Sequence, residues 1–411
     1  MNHTLAPPLK PQLTLPVDEG LHGLHLLFDN NWVWQTFCTH FGVPTDAPQW
    51  IRPRQISYQP GARAIVSYVA ERQWERWVIE DEFAIELVDG KPERVFRYPN
   101  DPYLPGLRWV ASAPDAHKLL TKYVPITPHR VRVEAVRYRP ATRAVMRHIV
   151  SWRAARLGKM TLFVRVMPPT RVSRLLLAAE LARHSGFALP KLVGCWNKGG
   201  VIWLSKIEGS TVRSRIRKGT PPNPELILSG LAKLWSAPVE PNKGHPLNLQ
   251  GGFHLTQRLL SHLLQGEEER QMLHQVTEVL GPFSETWRPS TLAHNDFYDD
   301  QVFFTPDGHL VLVDFEEVGP GDPLFDVGNA LAHLLWMSRF GIAREPCDLY
   351  RRRLRSVALQ RFGWKEQDLN LREALAIFRL SANPFRQLQH NWLSAVKTGL
   401  SLVSEVLEGI S

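Results

Sequence analysis

The chain has 411 residues, of which 44% are hydrophobic and 22% charged, and its formal net charge is +9. This length suits two lobes or domains, and the composition is that of a globular protein. No apolar run approaches the roughly 18 residues needed to cross a bilayer, so membrane association is not expected. The net charge is compatible with nucleic-acid binding and with a cleft that attracts a nucleoside triphosphate, and it favours neither.

The N-terminus and the cysteines bear on the cellular compartment. Residues 1–15 have no basic segment followed by an apolar core, so a signal peptide is not expected. Cys38, Cys195 and Cys347 stand far apart and form neither a disulfide framework nor a metal-ligand spacing. We therefore expect a cytoplasmic protein with reduced thiols.

A hairpin pattern occurs twice in the first half of the chain. The residues Tyr-x-Pro-x-x-Arg-Ala begin at Tyr58 and again at Tyr138, within segments 54–70 and 132–152. β-Branched and aromatic residues flank each proline-containing turn, which is typical of a β-hairpin. The repetition indicates either a duplicated hairpin or chance convergence.

More strands and a helix are predicted after the second hairpin. An apolar run over 160–167 predicts a third strand, ended by two prolines. Leucines and alanines at helical spacing over 171–184 predict a helix. Gly199 and Gly200 then separate two apolar runs, as a tight hairpin would. The predicted order is β, β, β, α, β, β.

Beyond residue 225 the periodicity is mainly helical, most clearly over 371–381 and 389–408. One exception is a predicted hairpin with strands at 301–304 and 310–314, joined through an Asp-Gly turn.

Two carboxylates flank this hairpin. Asp296 lies just before it and Asp314 is its predicted last strand residue, so pairing of the strands is expected to bring them together. Phosphoryl transfer needs magnesium on the phosphates and an acceptor hydroxyl oriented by a carboxylate. Two carboxylates supply these two roles.

Three ordered segments around the hairpin resemble the aminoglycoside phosphotransferase and choline kinase family. Residues 294–301 are similar to the family's His-x-Asp-x-x-x-x-Asn loop, with glutamine in place of the final asparagine. Residues 311–316 are similar to its metal-binding strand end, and residues 321–329 resemble the Gly-Asp-Pro-x-x-Asp stretch that opens the next helix. The resemblance covers residues 130–340.

The resemblance implies an α+β, two-lobe protein-kinase-like fold, with a β-rich N-terminal lobe and a mainly α C-terminal lobe. We expect residues 1–130 to form an N-terminal extension that contains the first hairpin. Residues 131–209 are predicted to form the kinase-like N-lobe. Residues 210–411 are predicted to form the C-lobe, which carries the catalytic loop and the metal site.

The family's roles map onto four residues of the C-lobe. The resemblance implies that Asp296 is the catalytic carboxylate, that His294 supports the loop, and that Asp314 is the principal magnesium ligand. Gln301 stands where the family has a second magnesium ligand. Its extra methylene moves the carbonyl oxygen by about 1.5 Å, so that metal contact requires the loop to adjust.

In the N-lobe, the resemblance implies phosphate contacts from arginines. The turn between the first two strands lacks glycines, so Arg139 or Arg143 would act as charged phosphate donors. Arg165 stands where the family has a lysine, with Glu180 as its expected partner on the helix. Lys159 is the alternative if the strand register slips.

The link between the lobes is expected at residues 205–209, which include Glu208 and look like the family's adenine-recognising hinge. Four other carboxylates flank the proposed centre and are equally consistent with solvated charge and with binding of a cationic substrate or metal: Asp299, Asp300, Glu316 and Glu317. Asp322 and Asp326 are expected to start a helix and brace the loop.

The predicted function is ATP-dependent transfer of the γ-phosphoryl group to a hydroxyl of a small molecule, with Mg²⁺ as cofactor. An aminoglycoside-like compound, an amino alcohol and a sugar remain open as acceptors. Gln301, Arg165 and the glycine-poor turn favour an alternative, a non-catalytic kinase-like nucleotide-binding protein. Nucleic-acid binding is the third and least favoured hypothesis, and no oligomeric state is predicted.

Overall fold

The computed structural model describes residues 15–43, 50–74, 77–124, 126–152, 158–239, 243–341 and 343–409. The segment examined for a signal peptide lies outside these ranges except for Leu15. Within the described ranges, no helix is both long enough and apolar enough to span a bilayer.

The N-terminal part is built around an antiparallel four-stranded sheet in the order β1-β2-β3-β4. Its elements are α1 (Asn30–Phe41), β1 (Trp50–Gln59), β2 (Arg63–Trp74), β3 (Trp77–Val88), β4 (Lys91–Arg97), α2 (Leu107–Val110) and α3 (Ala113–Tyr123). The Asp29 carboxylate accepts hydrogen bonds from the backbone N–H groups of Asn31 and Trp32, so it caps the start of α1.

A second antiparallel sheet follows, in the order β5-β6-β7-β9-β8. Its elements are β5 (Arg130–Arg139), β6 (Arg143–Trp152), β7 (Gly158–Val166), α4 (Val172–Ala182), β8 (Leu192–Trp196) and β9 (Val201–Ser205). The predicted order β, β, β, α, β, β is confirmed. Gly200 adopts a left-handed φ of 68° between the last two strands, a conformation that glycine reaches without strain.

The rest of the described chain is mainly helical, with one short strand before α5 and four more between α8 and α9. The elements are β10 (Ser210–Thr211), α5 (Val212–Arg217), α6 (Pro224–Trp235), α7 (Leu249–Leu263), α8 (Glu267–Thr286), β11 (Thr291–Ala293), β12 (Val302–Phe304), β13 (Leu310–Leu312), β14 (Gly319–Gly321), α9 (Pro323–Phe340), α10 (Arg344–Phe362), α11 (Glu366–Ser381), α12 (Asn383–Arg386) and α13 (Trp392–Glu408). The predicted helices over 371–381 and 389–408 correspond to α11 and α13.

The hairpin predicted between the two carboxylates is β12–β13, with Phe303 paired to Val311. The strand ends at Leu312, however, so the prediction that Asp314 is a strand residue is wrong. Asp314 has a left-handed φ of 60°, which no residue of a regular strand adopts. The backbone therefore leaves the sheet before the carboxylate.

The first repeated segment forms the hairpin β1–β2 and is anchored by a preceding aspartate. Tyr58 Oη and the Gly61 backbone N–H donate to Asp18 Oδ2 at 2.5 and 2.8 Å. The turn of the hairpin is thus tied to a segment that precedes it by about forty residues.

The second repeated segment forms β5–β6 and has the same anchor. Tyr138 Oη and the Ala141 backbone N–H donate to Asp101 Oδ2 at 2.9 and 2.8 Å. Each anchoring aspartate also opens the pattern Asp-x-x-Leu-x-Gly-Leu, at 18–24 and at 101–107. The N-terminal half therefore contains two copies of one unit, an aspartate segment and the hairpin that it holds.

The two copies differ in charge at one buried position. Arg165 is paired with Val145 across β6–β7, and Glu86 is paired with Ile65 across β2–β3. Ile65 and Val145 occupy the same place in the repeated pattern, so a glutamate in the first copy stands where the second has an arginine. Glu86 accepts a hydrogen bond from Arg63 at 2.6 Å, and the first copy thereby neutralises its own arginine.

The first sheet packs on the helical part of the chain. Buried residues of α1 and β1–β3 share one apolar cluster with residues of α7, α8, α11 and α13. Tyr58 on β1 also faces Phe385 on α12, with ring centroids 6.0 Å apart. Burial of this apolar surface is what holds the N-terminal unit against the helices.

Candidate active site

The loop between β11 and β12 carries the predicted catalytic residues and is anchored by Asp326 on α9. This fully buried carboxylate accepts hydrogen bonds from the backbone N–H groups of His294 and Asn295 at 2.8 and 2.7 Å, and from Trp235 Nε1 at 2.9 Å. Asp326 is therefore the bracing residue that the sequence predicts. Asn295 has a left-handed φ of 69°, which turns the chain sharply just before Asp296.

His294 is completely buried, and burial lowers its pKa to about 4. Its ring is therefore neutral near pH 7. The Asp296 backbone N–H donates to His294 Nδ1 at 3.4 Å, and the ring packs edge-on against Phe297. These contacts give His294 the supporting position expected for it, beside the carboxylate and not on the reacting groups.

Asp296 is partly buried at the centre of the loop. Burial raises the pKa of its carboxyl to about 7, Arg379 and Arg143 oppose that rise, and the carboxylates of Asp314 and Glu317 add to it. A carboxyl that titrates near neutral pH exchanges a proton readily, which suits a general base. The interaction of Asp296 with Asp314 also shows that the hairpin brings the two predicted residues together.

Asp314 faces two arginines of the five-stranded sheet. Its Oδ1 accepts a hydrogen bond from Arg165 Nη2 at 2.6 Å and lies 3.7 Å from Arg143 Nη1. Burial raises the pKa of Asp314, but the positive charges of Arg165 and Arg143 outweigh that effect, and the net pKa is lowered. Asp314 is thus ionised at neutral pH.

The turn that carries Arg139 and Arg143 is held in place by Asp101. Ala141, at its centre, has a left-handed φ of 57° and gives its N–H to that aspartate. Arg139 Nε is buried with no hydrogen-bond partner in the described structure. Burial, together with Arg137 and Arg143, lowers the pKa of Arg139 to about 10, so the group is still cationic at neutral pH. The backbone N–H of Ala141 is therefore bound to Asp101, and the positive charge of this turn comes from the side chains of Arg139 and Arg143.

The predicted pair between Arg165 and Glu180 is wrong. Arg165 instead forms ion pairs with Asp314 and Glu316, each at 2.6 Å. Glu180 is exposed, because α4 turns the opposite face, with Leu175 and Ala178, toward the core. Since the guanidinium is largely buried, the carboxylates after β13 are the partners that compensate its charge.

Gln301 is buried and its amide oxygen is already engaged. Its Oε1 accepts a hydrogen bond from the Tyr298 backbone N–H at 3.2 Å, while its Nε2 is buried without a partner in the described structure. Metal binding by Gln301 would use the second lone pair of this oxygen, since a carbonyl oxygen has two. Its role as a magnesium ligand stays a prediction.

A single carboxylate such as that of Asp314 is compatible with magnesium, which often takes one or two protein carboxylates and completes its shell with phosphates and water. Within the described residues no three His, Cys, Asp or Glu side chains form a complete metal site. Asp314 is the residue best placed to hold the ion. Glu316 lies two positions further on and is bound to Arg165.

The other flanking carboxylates are neutralised by arginines. Arg213 donates to both carboxylate oxygens of Asp299, at 3.0 and 3.1 Å, and to Asp300 at 3.3 Å. Glu317 is paired with Arg174. A cationic substrate would have to displace these arginines. Asp322 caps α9 through the Leu324 backbone N–H at 2.9 Å, as predicted.

Residues 206–209 join β9 of the five-stranded sheet to β10, which pairs with β12. Glu208 is exposed and lies 2.7 Å from Lys206. The predicted hinge therefore has the expected position between sheet and helices, and the Glu208 side chain is turned to solvent.

The family model of the phosphotransferase enzyme family matches residues 153–366, more than half of the chain. The chain belongs to the phosphotransferase enzyme family. The match spans the loop that carries Asp296, Asp314 and the helix that Asp322 caps. No curated protein sequence matches the chain.

Solved structures of other proteins have a fold similar to that of this phosphotransferase family member. Spectinomycin phosphotransferase APH(9)-Ia in complex with ADP and spectinomycin is 10% identical, with a TM-score of 0.50 over 72% of this chain and 97% of that chain. Choline kinase from Cryptosporidium parvum is 11% identical, with a TM-score of 0.51 over 72% of this chain and 95% of that chain. The two-lobe kinase-like fold predicted from the sequence is thereby confirmed.

Two residues beside the site of this phosphotransferase family member were not predicted from the sequence. Asn295 Nδ2 donates to the backbone oxygens of Glu317 and Gly319 at 2.9 and 3.3 Å, linking the catalytic loop to the segment before α9. Its only signal was an asparagine, a residue that tolerates a left-handed φ, next to Asp296. Arg379 acts on the Asp296 carboxyl from α11, and its signal was a single arginine inside an apolar run of that helix.

Proposed function

We propose that this protein transfers the γ-phosphoryl group of ATP to a hydroxyl of a small molecule. The observation that carries the proposal is the meeting of Asp296 and Asp314 with Arg143 and Arg165 at one centre. Phosphoryl transfer depends mainly on positioning and on stabilising charge, and these four side chains supply a base, a metal-binding carboxylate and two phosphate donors. Membership of the phosphotransferase enzyme family supports the same reaction class.

In this mechanism, Asp296 accepts the proton of the acceptor hydroxyl as the oxygen attacks the γ-phosphorus. The bond from the γ-phosphorus to the bridging oxygen breaks, and ADP leaves. His294 keeps the loop in place without changing charge, because it is neutral at the working pH. Arg143 and Arg165 hold the phosphate oxygens. Arg139 adds a third positive charge from the turn that also carries Arg143.

Asp314 would hold Mg²⁺, which offsets the negative charge of the phosphates when it is bound. Asp314 is ionised at neutral pH, the state a metal ligand requires. Gln301 is the proposed second ligand, through the lone pair of its amide oxygen that does not accept from Tyr298. Glu208 and its neighbours are proposed to contact the adenine through backbone groups, since the Glu208 side chain faces solvent.

A non-catalytic nucleotide-binding protein is the competing hypothesis. It is favoured by the pairing of Arg165 with Asp314 and by the occupied oxygen of Gln301. The two hypotheses differ in turnover and not in nucleotide binding.

Transfer of labelled γ-phosphate from ATP to a panel of alcohols, amino alcohols, sugars and aminoglycosides separates the two hypotheses. We expect label on at least one acceptor, with a requirement for Mg²⁺. Nucleotide-induced thermal stabilisation without labelled product from any acceptor would support the non-catalytic protein. The absence of both thermal stabilisation and label transfer would contradict both hypotheses.

A further inference from the structure

Arg379 is a partly buried cation near Asp296 that forms no ion pair with any described residue. Within the described structure its guanidinium makes no hydrogen bond and no ion pair, and its only polar contact is with the face of the Phe325 ring, 5.5 Å from the ring centroid. An unpaired cation is expensive to shield from water, so its presence near a reacting carboxyl calls for an explanation.

Arg386, on the next helix, adds to this positive charge. Its side chain also makes no hydrogen bond or ion pair among the described residues. Burial lowers its pKa, and the positive charge of Arg379 lowers it further. Two neighbouring cations that repel each other are stabilised when an anion binds between or beside them.

The carboxylates near the site, in contrast, already have partners. Asp299 and Asp300 are bound by Arg213, Glu317 by Arg174, and Asp322 by Arg372 at 2.9 Å. On this side of Asp296 the side chains without partners are thus the arginines. That balance is the reverse of what a cationic acceptor needs.

A cavity of about 750 Å³ opens beside Arg379. Arg379 and Glu317 line it, and both influence the Asp296 carboxyl. Asp296, Asp314, Arg143 and Arg165 are not among its lining residues, so the cavity lies beside the proposed reacting centre and away from the phosphate contacts. It is large enough for a sugar-sized molecule.

The first turn of α7 lines the same cavity with residues 248–250. The first N–H groups of a helix have no acceptor within the helix, and the helix dipole places partial positive charge there. In this fifteen-residue helix Asn248 caps the Gly251 N–H. The helix end and Arg379 therefore both favour an anion in the cavity.

We propose that the acceptor is an anionic hydroxyl compound, whose carboxylate or phosphate group is bound by Arg379 at the cavity between α7 and α11 while its hydroxyl faces Asp296. Arg386 reinforces the positive charge. This proposal rests on the phosphotransferase function proposed above and names the charge class of its substrate. It opposes the amino alcohol and the aminoglycoside left open by the sequence.

Four compounds of similar size separate charge from shape: gluconate, glucose 6-phosphate, glucose and glucosamine. Their binding is measured by calorimetry, with and without ATP and Mg²⁺, and their phosphorylation by transfer of label. We expect gluconate or glucose 6-phosphate to bind at least about tenfold more tightly than glucose, a difference of about 1.4 kcal/mol. Glucosamine is expected to bind most weakly. The two anions distinguish a carboxylate from a phosphate preference.

Arg379→Gln tests the residue. We expect it to abolish the preference for the anion and leave the affinity for glucose and for ATP unchanged, while Arg379→Lys restores part of the preference. Arg339→Gln is the matched control, because Arg339 is an arginine on α9 paired with Glu405 and lies outside the cavity. Thermal unfolding of each variant shows that it is folded.

Several outcomes overturn the proposal. They are tighter binding of glucosamine, equal or no binding of all four compounds, or an anion preference that survives Arg379→Gln. A loss of phosphorylation rate that is equal on every compound and persists at about pH 9, where the Asp296 carboxylate is ionised, would instead assign Arg379 to the transferred phosphoryl group. Transfer of label to glucosamine or glucose alone contradicts the anionic acceptor and leaves the phosphotransferase function intact. Binding of anions without any transfer contradicts the phosphotransferase function and leaves the anion site intact.

Discussion

Arg165 on the third strand of the five-stranded sheet donates a 2.6 Å hydrogen bond to Asp314, beyond the last strand of the catalytic hairpin. This contact joins the two parts of the chain that carry the proposed phosphate donors and the proposed metal ligand. Arg165 also binds Glu316 at 2.6 Å, so one buried guanidinium holds two carboxylates. Asp314 and Glu316 therefore share the compensation of the Arg165 charge.

Asp314→Asn is expected to weaken magnesium-dependent nucleotide binding. The substitution removes the negative charge that would hold the metal and half of the partner set of Arg165. We expect the Kd for ATP with Mg²⁺ to rise at least about tenfold, or about 1.4 kcal/mol. Calorimetric titration with and without Mg²⁺ measures the effect. Asp307→Asn is the control, since this aspartate lies exposed in the turn of the same hairpin. An unchanged Kd would remove Asp314 from the proposed site.

Asp296→Asn is expected to reduce turnover and keep nucleotide affinity. The amide cannot accept the proton of the acceptor hydroxyl, so kcat should fall by about 10²- to 10⁴-fold. Steady-state transfer of label gives kcat, and calorimetry gives the Kd for ATP. Asp300→Asn is the matched control in the same loop, because Asp300 is partly exposed and paired with Arg213. Full activity of Asp296→Asn would contradict its role as the base.

The pH profile should report the Asp296 carboxyl. Its pKa is raised to about 7, and only the ionised form acts as a base, so kcat/KM is expected to rise with pH around a midpoint near 7. His294 does not contribute in this range, because its pKa lies near 4. Arg379 lowers the pKa of Asp296, and Arg379→Gln should therefore move the midpoint to higher pH.

Initial rates between about pH 5 and about pH 9 give this profile. Arg339→Gln should leave the midpoint unchanged, since Arg339 is paired with Glu405 and does not line the cavity. A flat profile in the wild type would argue against Asp296 as the base. A midpoint that does not move in Arg379→Gln would contradict the prediction that Arg379 lowers the pKa of Asp296.

The two anchoring aspartates allow a paired test. Asp101→Ala leaves the Tyr138 hydroxyl and the Ala141 N–H without their acceptor, and Asp18→Ala does the same to Tyr58 and Gly61. Both are expected to lower the free energy of unfolding by about 1–3 kcal/mol. Only Asp101→Ala should also weaken ATP binding, because only its turn carries Arg139 and Arg143. Urea unfolding and calorimetry measure the two effects. Equal loss of ATP affinity in both variants would contradict the assignment of the phosphate turn.

The sequence by itself determined the order of the elements around the second hairpin, and its resemblance to a known family predicted the fold class and the loop that carries Asp296. These features are local. Turn residues, strand and helix periodicity, and the spacing from His294 to Asp314 all lie within short stretches, where backbone preferences and side-chain order act directly. The expectation that the Asp322 segment opens a helix was confirmed for the same reason, since a capping aspartate acts on its nearest neighbours.

Partners that come together from distant parts of the chain were decided only by the tertiary structure. Arg165 pairs with Asp314 and Glu316 and not with Glu180, because a buried guanidinium binds the carboxylates that packing brings to it. Asp18 and Asp101 were not predicted although each opens a repeated segment, because the tyrosines that donate hydrogen bonds to them lie some forty residues later. The unpaired state of Arg379 likewise depends on what surrounds α11. Local order predicts which residues do chemistry, and packing decides which charges remain available for a ligand.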